Sequence, residues 1–332
     1  NLSFSKDTVY LDTVFTNIGS STYNLKVYNK SNKNISIPSI ALYNGENSFY
    51  RLNVDGVPGK IFKNVEILAK DSLYIFIETT IDFSQVSNPI YTDEIVFESG
   101  ENLQEVTLVT LVKDAYFLFP SKDSNGFIET ISIGKTTDGE DLKVNGFFLD
   151  ENTTFTNEKP YVIYGYAAVP PNETLVVDAG ARIHFHAESG LIIANNASLH
   201  VEGGYSSTED LENEVIFEGD RLEPDFSEVP GQWGTIWLTQ GSTNNQFSNL
   251  TIKNATVGIL VSGNDGTANP TLELENTQIY NCSNVGILAR TGNIEGRNVV
   301  INNCGQVAFA GSFGGNYDFT HCTFANYWPS SS

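Results

Sequence analysis

Methionine is absent from the 332 residues, and cysteine occurs only three times. Three cysteines, all beyond residue 280, cannot form the disulfide framework of a small secreted domain. A chain that begins at Asn1 and holds no Met points to a processed protein whose targeting segment is already gone. Basic residues are scarce as well: 18 Lys and Arg stand against 40 Asp and Glu, for a formal charge of −22. That balance excludes nucleic acid as a partner, because phosphate binding needs clustered Lys and Arg. Basic partners, neutral glycans, or ligands bridged by a divalent cation suit such a surface. No run approaches the ~18 apolar residues of a membrane-spanning helix. The enzyme signatures GxSxG, Walker loop, CxxC and HExxH are all missing.

What is present is a repeat. Asn249-Leu-Thr-Ile-Lys-Asn-Ala255, Asn276-Thr-Gln-Ile-Tyr-Asn-Cys282 and Asn298-Val-Val-Ile-Asn-Asn-Cys304 are versions of one unit, with a fainter copy at Cys322-Thr-Phe-Ala-Asn-Tyr327. Aligned on Asn254, Asn281, Asn303 and Asn326, the intervals are 27, 22 and 23 residues. A period in the low twenties with Asn and Gly corners marks a solenoid whose strands stack on their own copies. The expected architecture is a parallel β-helix with Ile252, Ile279 and Ile301 stacked inside. Cys282 and Cys304 share a repeat position, one strand spacing of about 4.8 Å apart. That distance accommodates a disulfide or a stack of buried thiols.

The first 119 residues read differently. Val9–Phe15, Tyr23–Tyr28, Ile35–Leu42, Phe49–Val54, Leu73–Ile81, Glu94–Glu98 and Val106–Val112 alternate with period two, separated by turn residues. Seven short strands without helical period predict an all-β domain, a β-sandwich at 1–119. Leu73, Ile75 and Ile77 are the expected core residues of one strand. Residues 120–160 read as a polar connector carrying a short hairpin, and 161–332 as the parallel β-helix. The chain reaches Pro329-Ser-Ser-Ser332 without a polar capping turn. Solenoid ends need covering, so the expectation is further chain or a partner at this end.

Three candidate sites stand out. His184, His186 and Glu188 alternate, and on a strand they share one face. Such a set could hold Zn²⁺, although Ile183 and Phe185 take the inward positions. The acidic stretch from Glu209 to Glu228 has the oxygen ligands that Ca²⁺ needs, or is a solvated loop. Trp233 and Trp237, four apart, would share a strand face as an interaction surface or as core, with Tyr327 and Trp328 adding aromatic surface. A polysaccharide-cleaving site would need carboxylates with Arg or Lys on adjacent turns. The solenoid's arginines, Arg182, Arg221, Arg290 and Arg297, show no such cluster in their spacing.

Four blocks go beyond periodicity: Lys6-Asp-Thr-Val-Tyr-Leu-Asp-Thr-Val-Phe-Thr-Asn-Ile-Gly-Ser-Ser-Thr22, Lys159-Pro-Tyr-Val-Ile-Tyr-Gly165, Gly219-Asp-Arg-Leu-Glu223 and Pro230-Gly-Gln-Trp-Gly-Thr-Ile-Trp237. On these the chain resembles an exported lipoprotein family of the Bacteroidota. The resemblance implies an Ig-like β-sandwich followed by a right-handed parallel β-helix. It also implies a lipid-anchored N-terminus at the outer membrane, facing outward. Asp7-Thr8-Val9, Asp12-Thr13-Val14 and Asp71-Ser72-Leu73 match that phylum's O-glycosylation pattern, making Thr8, Thr13 and Ser72 candidate acceptors. The expectation is then a non-enzymatic surface lipoprotein in an outer-membrane complex, partnered by a barrel protein and other lipoproteins in barrel assembly. It would carry no cofactor, with Ca²⁺ on the acidic stretch and a metal on His184, His186 and Glu188 as the candidate ions. The alternatives are a β-helix that binds or degrades polysaccharide, and a surface adhesin.

Overall fold

The computed structural model describes residues 2–99, 102–135 and 137–327. Among them the secondary structure is almost entirely strand, with three short 3-10 turns and no α-helix. The chain divides into two compact units, with the break between Asp114 and Ala115.

The first unit holds two five-stranded sheets. One runs in the order Ser3–Phe4, Tyr23–Tyr28, Ser72–Thr79, Tyr50–Val54 and Val57–Gly59. The other runs Thr8–Phe15, Asn102–Lys113, Ile90–Ser99, Ile35–Leu42 and Ile61–Ile67. Period-two alternation points one face of each sheet inward. Leu73, Ile75 and Ile77 are buried as expected, and they share one apolar core with Val9, Ile37, Ile40, Phe97 and Leu108 of the other sheet. The sequence pattern missed Ile61–Ile67. Its pairing with Ile35–Leu42 keeps one register but skips Asn64, which sits in the left-handed region at φ +53° and interrupts the in-and-out alternation.

The second unit is a parallel β-solenoid of about eight turns. It begins earlier than the sequence suggested. Tyr116–Leu118 already pairs in parallel with Tyr161–Ile163, Asp141–Phe148 with Tyr166–Val169, and Thr154–Phe155 with Thr174–Asp178. The stretch expected to be a connector, 120–160, is therefore built into the coil. The hairpin it carries pairs Thr130–Lys135 with Asp141–Phe148.

Each full turn contributes three faces. The eight-stranded sheet from Thr130–Lys135 to Val307–Gly311 makes one. The other two come from separate strands in the early turns, such as Thr174–Asp178 and Arg182–Phe185, and in three later turns from single long strands bent in the middle: Asn245–Lys253, Leu272–Tyr280 and Asn293–Asn302. The bend falls at Asn249, Asn276 and Asn298, all left-handed with φ of 48°, 49° and 55°. Asparagine is the non-glycine residue that most readily takes this conformation. The amides also stack, Asn298 Nδ2 donating to Asn276 Oδ1 at 2.7 Å. A second corner is turned by Asn254, Asn281 and Asn303, again with positive φ. The repeated asparagines seen in the sequence are thus the corners of the coil.

Side chains between the corners stack by register. Tyr161, Ile183, Phe217, Ile252, Ile279 and Ile301 form one continuous interior column. From Ile183 to Ile301 its members are fully buried, each such side chain stabilising by roughly 1.5–3 kcal/mol. Cys282 and Cys304 are both buried and unoxidised, thiol beside thiol. Hydrogen bonding with Cys304, together with burial, pushes the Cys282 thiol well above its ordinary range, which makes it an inert core residue.

Candidate functional site

The residues singled out by sequence mostly turn out to be structural. Trp233 and Trp237 do not share a face. Trp233 lies before the strand Ile236–Leu238 and points into the coil, 1% exposed, stacked on Phe185 at 4.4 Å. Its Nε1 donates to the Lys253 carbonyl at 2.9 Å. Gly234 separates the two indoles, and a Cβ there would meet Tyr166 Oη at 2.3 Å, so the chain can pass only as glycine. Trp237 points outward and is half-buried, its Nε1 donating to Ser262 Oγ at 2.7 Å. Tyr327 is exposed, and Trp328 lies outside the described residues.

The His184, His186 and Glu188 set does not assemble. The strand Arg182–Phe185 ends before His186, and Glu188 follows in a left-handed turn at φ +58°. His184 is buried, with Nδ1 3.1 Å from the Gly219 carbonyl. His186 instead contacts Asp220, Nδ1 to Oδ2 at 2.7 Å. Among the described residues no three His, Cys, Asp or Glu side chains converge to hold a metal. The acidic stretch is spent on local bonds: Glu212 on Ser207 and Thr208, Glu214 on Thr251, Glu228 on Asn281, and Glu218 on Lys253 at 2.8 Å. Burial disfavours the Lys253 charge, yet the Glu218 carboxylate more than offsets this and holds its pKa above the ordinary lysine value. Thr8, Thr13 and Ser72 are half-buried, each on a strand of the first unit.

The arrangement with chemical potential lies on a face that the sequence left unremarked. In the halves of the long strands before the asparagine bend, inward residues alternate with outward ones. Phe247, Leu274, Gly296 and Phe319 fill the interior side. Outward, Gln246, Glu273, Glu295 and Asp318 are register partners on four successive rungs. Beside them runs a second column, Ser248, Glu275, Arg297 and Thr320. Upstream, Asp178 pairs with Glu202 and Glu202 with Ser248, extending the acidic ladder. The two columns line an open groove of about 480 Å³, within the ~300–1,000 Å³ of ordinary ligand sites.

Glu273, Glu275, Glu295, Arg297 and Asp318 are all exposed. Among the described residues Arg297 makes no ion pair, although Glu275 is its neighbour on the next rung. Its five donors and the carboxylate oxygens around it are therefore turned to solvent. Carboxylates on adjacent rungs start about 4.8 Å apart at Cα, and those two rungs apart about 10 Å. Glycosidic-bond cleavage uses carboxyl pairs about 5–5.5 Å or 6.5–9.5 Å apart, and the ladder supplies starting points for both. This reverses the expectation that no carboxylate and arginine cluster exists on adjacent turns.

No protein-family model matches the sequence, and no curated protein matches it. Among solved structures, the chain is similar in part to a family 123 glycoside hydrolase from Clostridium perfringens, described for its hydrolysis of glycolipid glycans. Identity is 9%, the TM-score is 0.24, and the match covers 36% of this chain and 30% of the hydrolase chain. The match thus spans less than a third of that enzyme. A likeness of that depth assigns no residue and no activity. The expectation of a non-enzymatic protein leaned on the lack of any carboxylate and arginine cluster on adjacent turns, and the two outward columns remove that ground.

Proposed function

We propose that this chain is a carbohydrate-active β-solenoid that takes an extended glycan along the acidic groove. In this reading Glu273, Glu295 and Asp318 face a glycosidic bond, and Arg297 orients a sugar hydroxyl. The observation that carries it is the pair of outward columns on four rungs, where exposed carboxylates surround one unpaired guanidinium. Carboxylates accept hydrogen bonds from sugar hydroxyls, Arg297 donates them, and the regular rung spacing suits a polymer with its own repeat. The charge selects the substrate class. Glu273, Glu275, Glu295 and Asp318 against one Arg repel uronates and favour neutral or amino-sugar chains.

The setting we propose is the one implied by the resemblance: an exported, lipid-anchored protein at the outer membrane, where the groove meets extracellular polysaccharide. We further propose that the first unit is immunoglobulin-like. Its two five-stranded sheets over one core, with Thr8–Phe15 parallel to Asn102–Lys113, support this.

The test is a panel of neutral, amino-sugar and uronic polysaccharides, read by calorimetry and by release of reducing ends. Saturable binding of a neutral or amino-sugar chain is expected, and reducing-end release from the same chain would identify cleavage. Binding confined to uronic polymers, or to none of the panel, would overturn the proposal.

A further inference from the structure

A second cavity, on a different part of the solenoid, has the opposite electrostatic character. It measures about 880 Å³ and lies where the hairpin Thr130–Lys135 and Asp141–Phe148 meets the first turns. Phe119, Pro120, Ile128 and Val144 give it apolar walls, and Lys122 and Lys143 stand on its lining. In a chain of −22 charge, two lysines on one apolar cavity are a local reversal of sign. Neither lysine has an ion pair or side-chain hydrogen bond among the described residues. Both are exposed, so both ammonium groups are available to an incoming ligand.

One wall is held rigid. The His186 ring stacks against Tyr164 with centroids 4.5 Å apart, and its Nδ1 is fixed on Asp220. With Nδ1–H donating to the carboxylate, the neutral imidazole carries its lone pair on Nε2, and Nε2 has no partner among the described residues. Asp220 itself does not stand on the lining. Glu188 is the one carboxylate among the lining residues, against two lysines.

We propose that this cavity binds an amphiphilic carboxylate, a soluble small molecule with an apolar body and a single acidic group. The body would lie against Phe119, Pro120, Ile128 and Val144, and the carboxylate between Lys122 and Lys143. Apolar walls supply affinity and the few placed charges supply orientation, the usual division in small-molecule sites. The placement is independent of the acidic groove, which lies on other strands.

The experiment titrates the intact chain with dodecanoate below its micelle concentration, following calorimetry and the His186 imidazole resonances. One saturable site is expected, with the His186 signals shifting in step. The double variant Lys122→Gln/Lys143→Gln should weaken dodecanoate at least tenfold and leave circular dichroism unchanged, because both side chains are exposed and unpaired. Val144→Asp, which places a charge on the apolar wall, should abolish binding. The inference is overturned if dodecanol or dodecyltrimethylammonium binds as tightly as dodecanoate. It is equally overturned if the double variant binds like the parent, if the His186 signals stay in place, or if dodecanoate binds only as micelles or vesicles.

Discussion

Replacing Trp233 by alanine is expected to lower the unfolding free energy by about 3–5 kcal/mol, the range for deleting a large buried aromatic. Three losses combine at this site. The indole is 1% exposed, so its apolar area is removed from water almost completely. Its face is stacked on Phe185 with ring centroids 4.4 Å apart, a contact that alanine cannot make. Its Nε1 satisfies the Lys253 carbonyl, which would be left without that donor in the interior. Trp237→Ala, four residues on, should cost only about 1–2 kcal/mol, since that ring is half-buried on the outer wall. Urea denaturation of the two variants, followed by circular dichroism, measures the difference. Equal costs would mean that the two indoles share a surface, as their spacing alone suggests.

The second large effect is expected in the groove. Arg297→Ala should weaken the bound glycan about 10- to 100-fold, and Glu295→Gln about tenfold. Hydrogen bonds involving a charged partner are worth about 1.5–3 kcal/mol each, and 1.4 kcal/mol is a factor of ten. Arg297 is the larger of the two because it is the cation among Glu275, Glu295 and Asp318, so its loss also leaves those charges mutually unrelieved. Neither change should alter stability by more than about 0.5 kcal/mol, because both side chains are exposed and neither is paired. Calorimetry on the tightest-binding glycan, with denaturation midpoints as the control, separates binding from folding. Undiminished affinity in both variants would move the glycan elsewhere on the coil.

The repeat was legible because asparagine marks it twice per turn. Asn249, Asn276 and Asn298 hold one left-handed corner, and Asn254, Asn281 and Asn303 the other, so the same chemistry recurs wherever the backbone must turn. The stacked Ile252, Ile279 and Ile301 followed from that alignment. The groove was encoded by the same numbers. Gln246, Glu273, Glu295 and Asp318 are separated by 27, 22 and 23 residues, as are Ser248, Glu275, Arg297 and Thr320. Carrying the corner intervals to every outward position would have exposed both columns. Searching the arginines by their own spacing could not, because one arginine among carboxylates has no interval to itself.

Other features lay beyond local pattern. The first solenoid turn is hidden because Tyr116–Leu118 and Thr154–Phe155 are three- and two-residue strands, too short for a period. The His184, His186 and Glu188 alternation misleads because the strand stops at Phe185 and a left-handed turn follows. Strand length is set there by the corner, and hydrophobic pattern does not report it.

The measurement that bears most directly on the acidic groove is a crystal structure of the chain with the tightest-binding saccharide of the panel. The sugar is expected along Glu273, Glu295 and Asp318, with hydroxyls within hydrogen-bond distance of Glu295 and Arg297. A sugar seated on the eight-stranded face, away from both columns, would contradict the account.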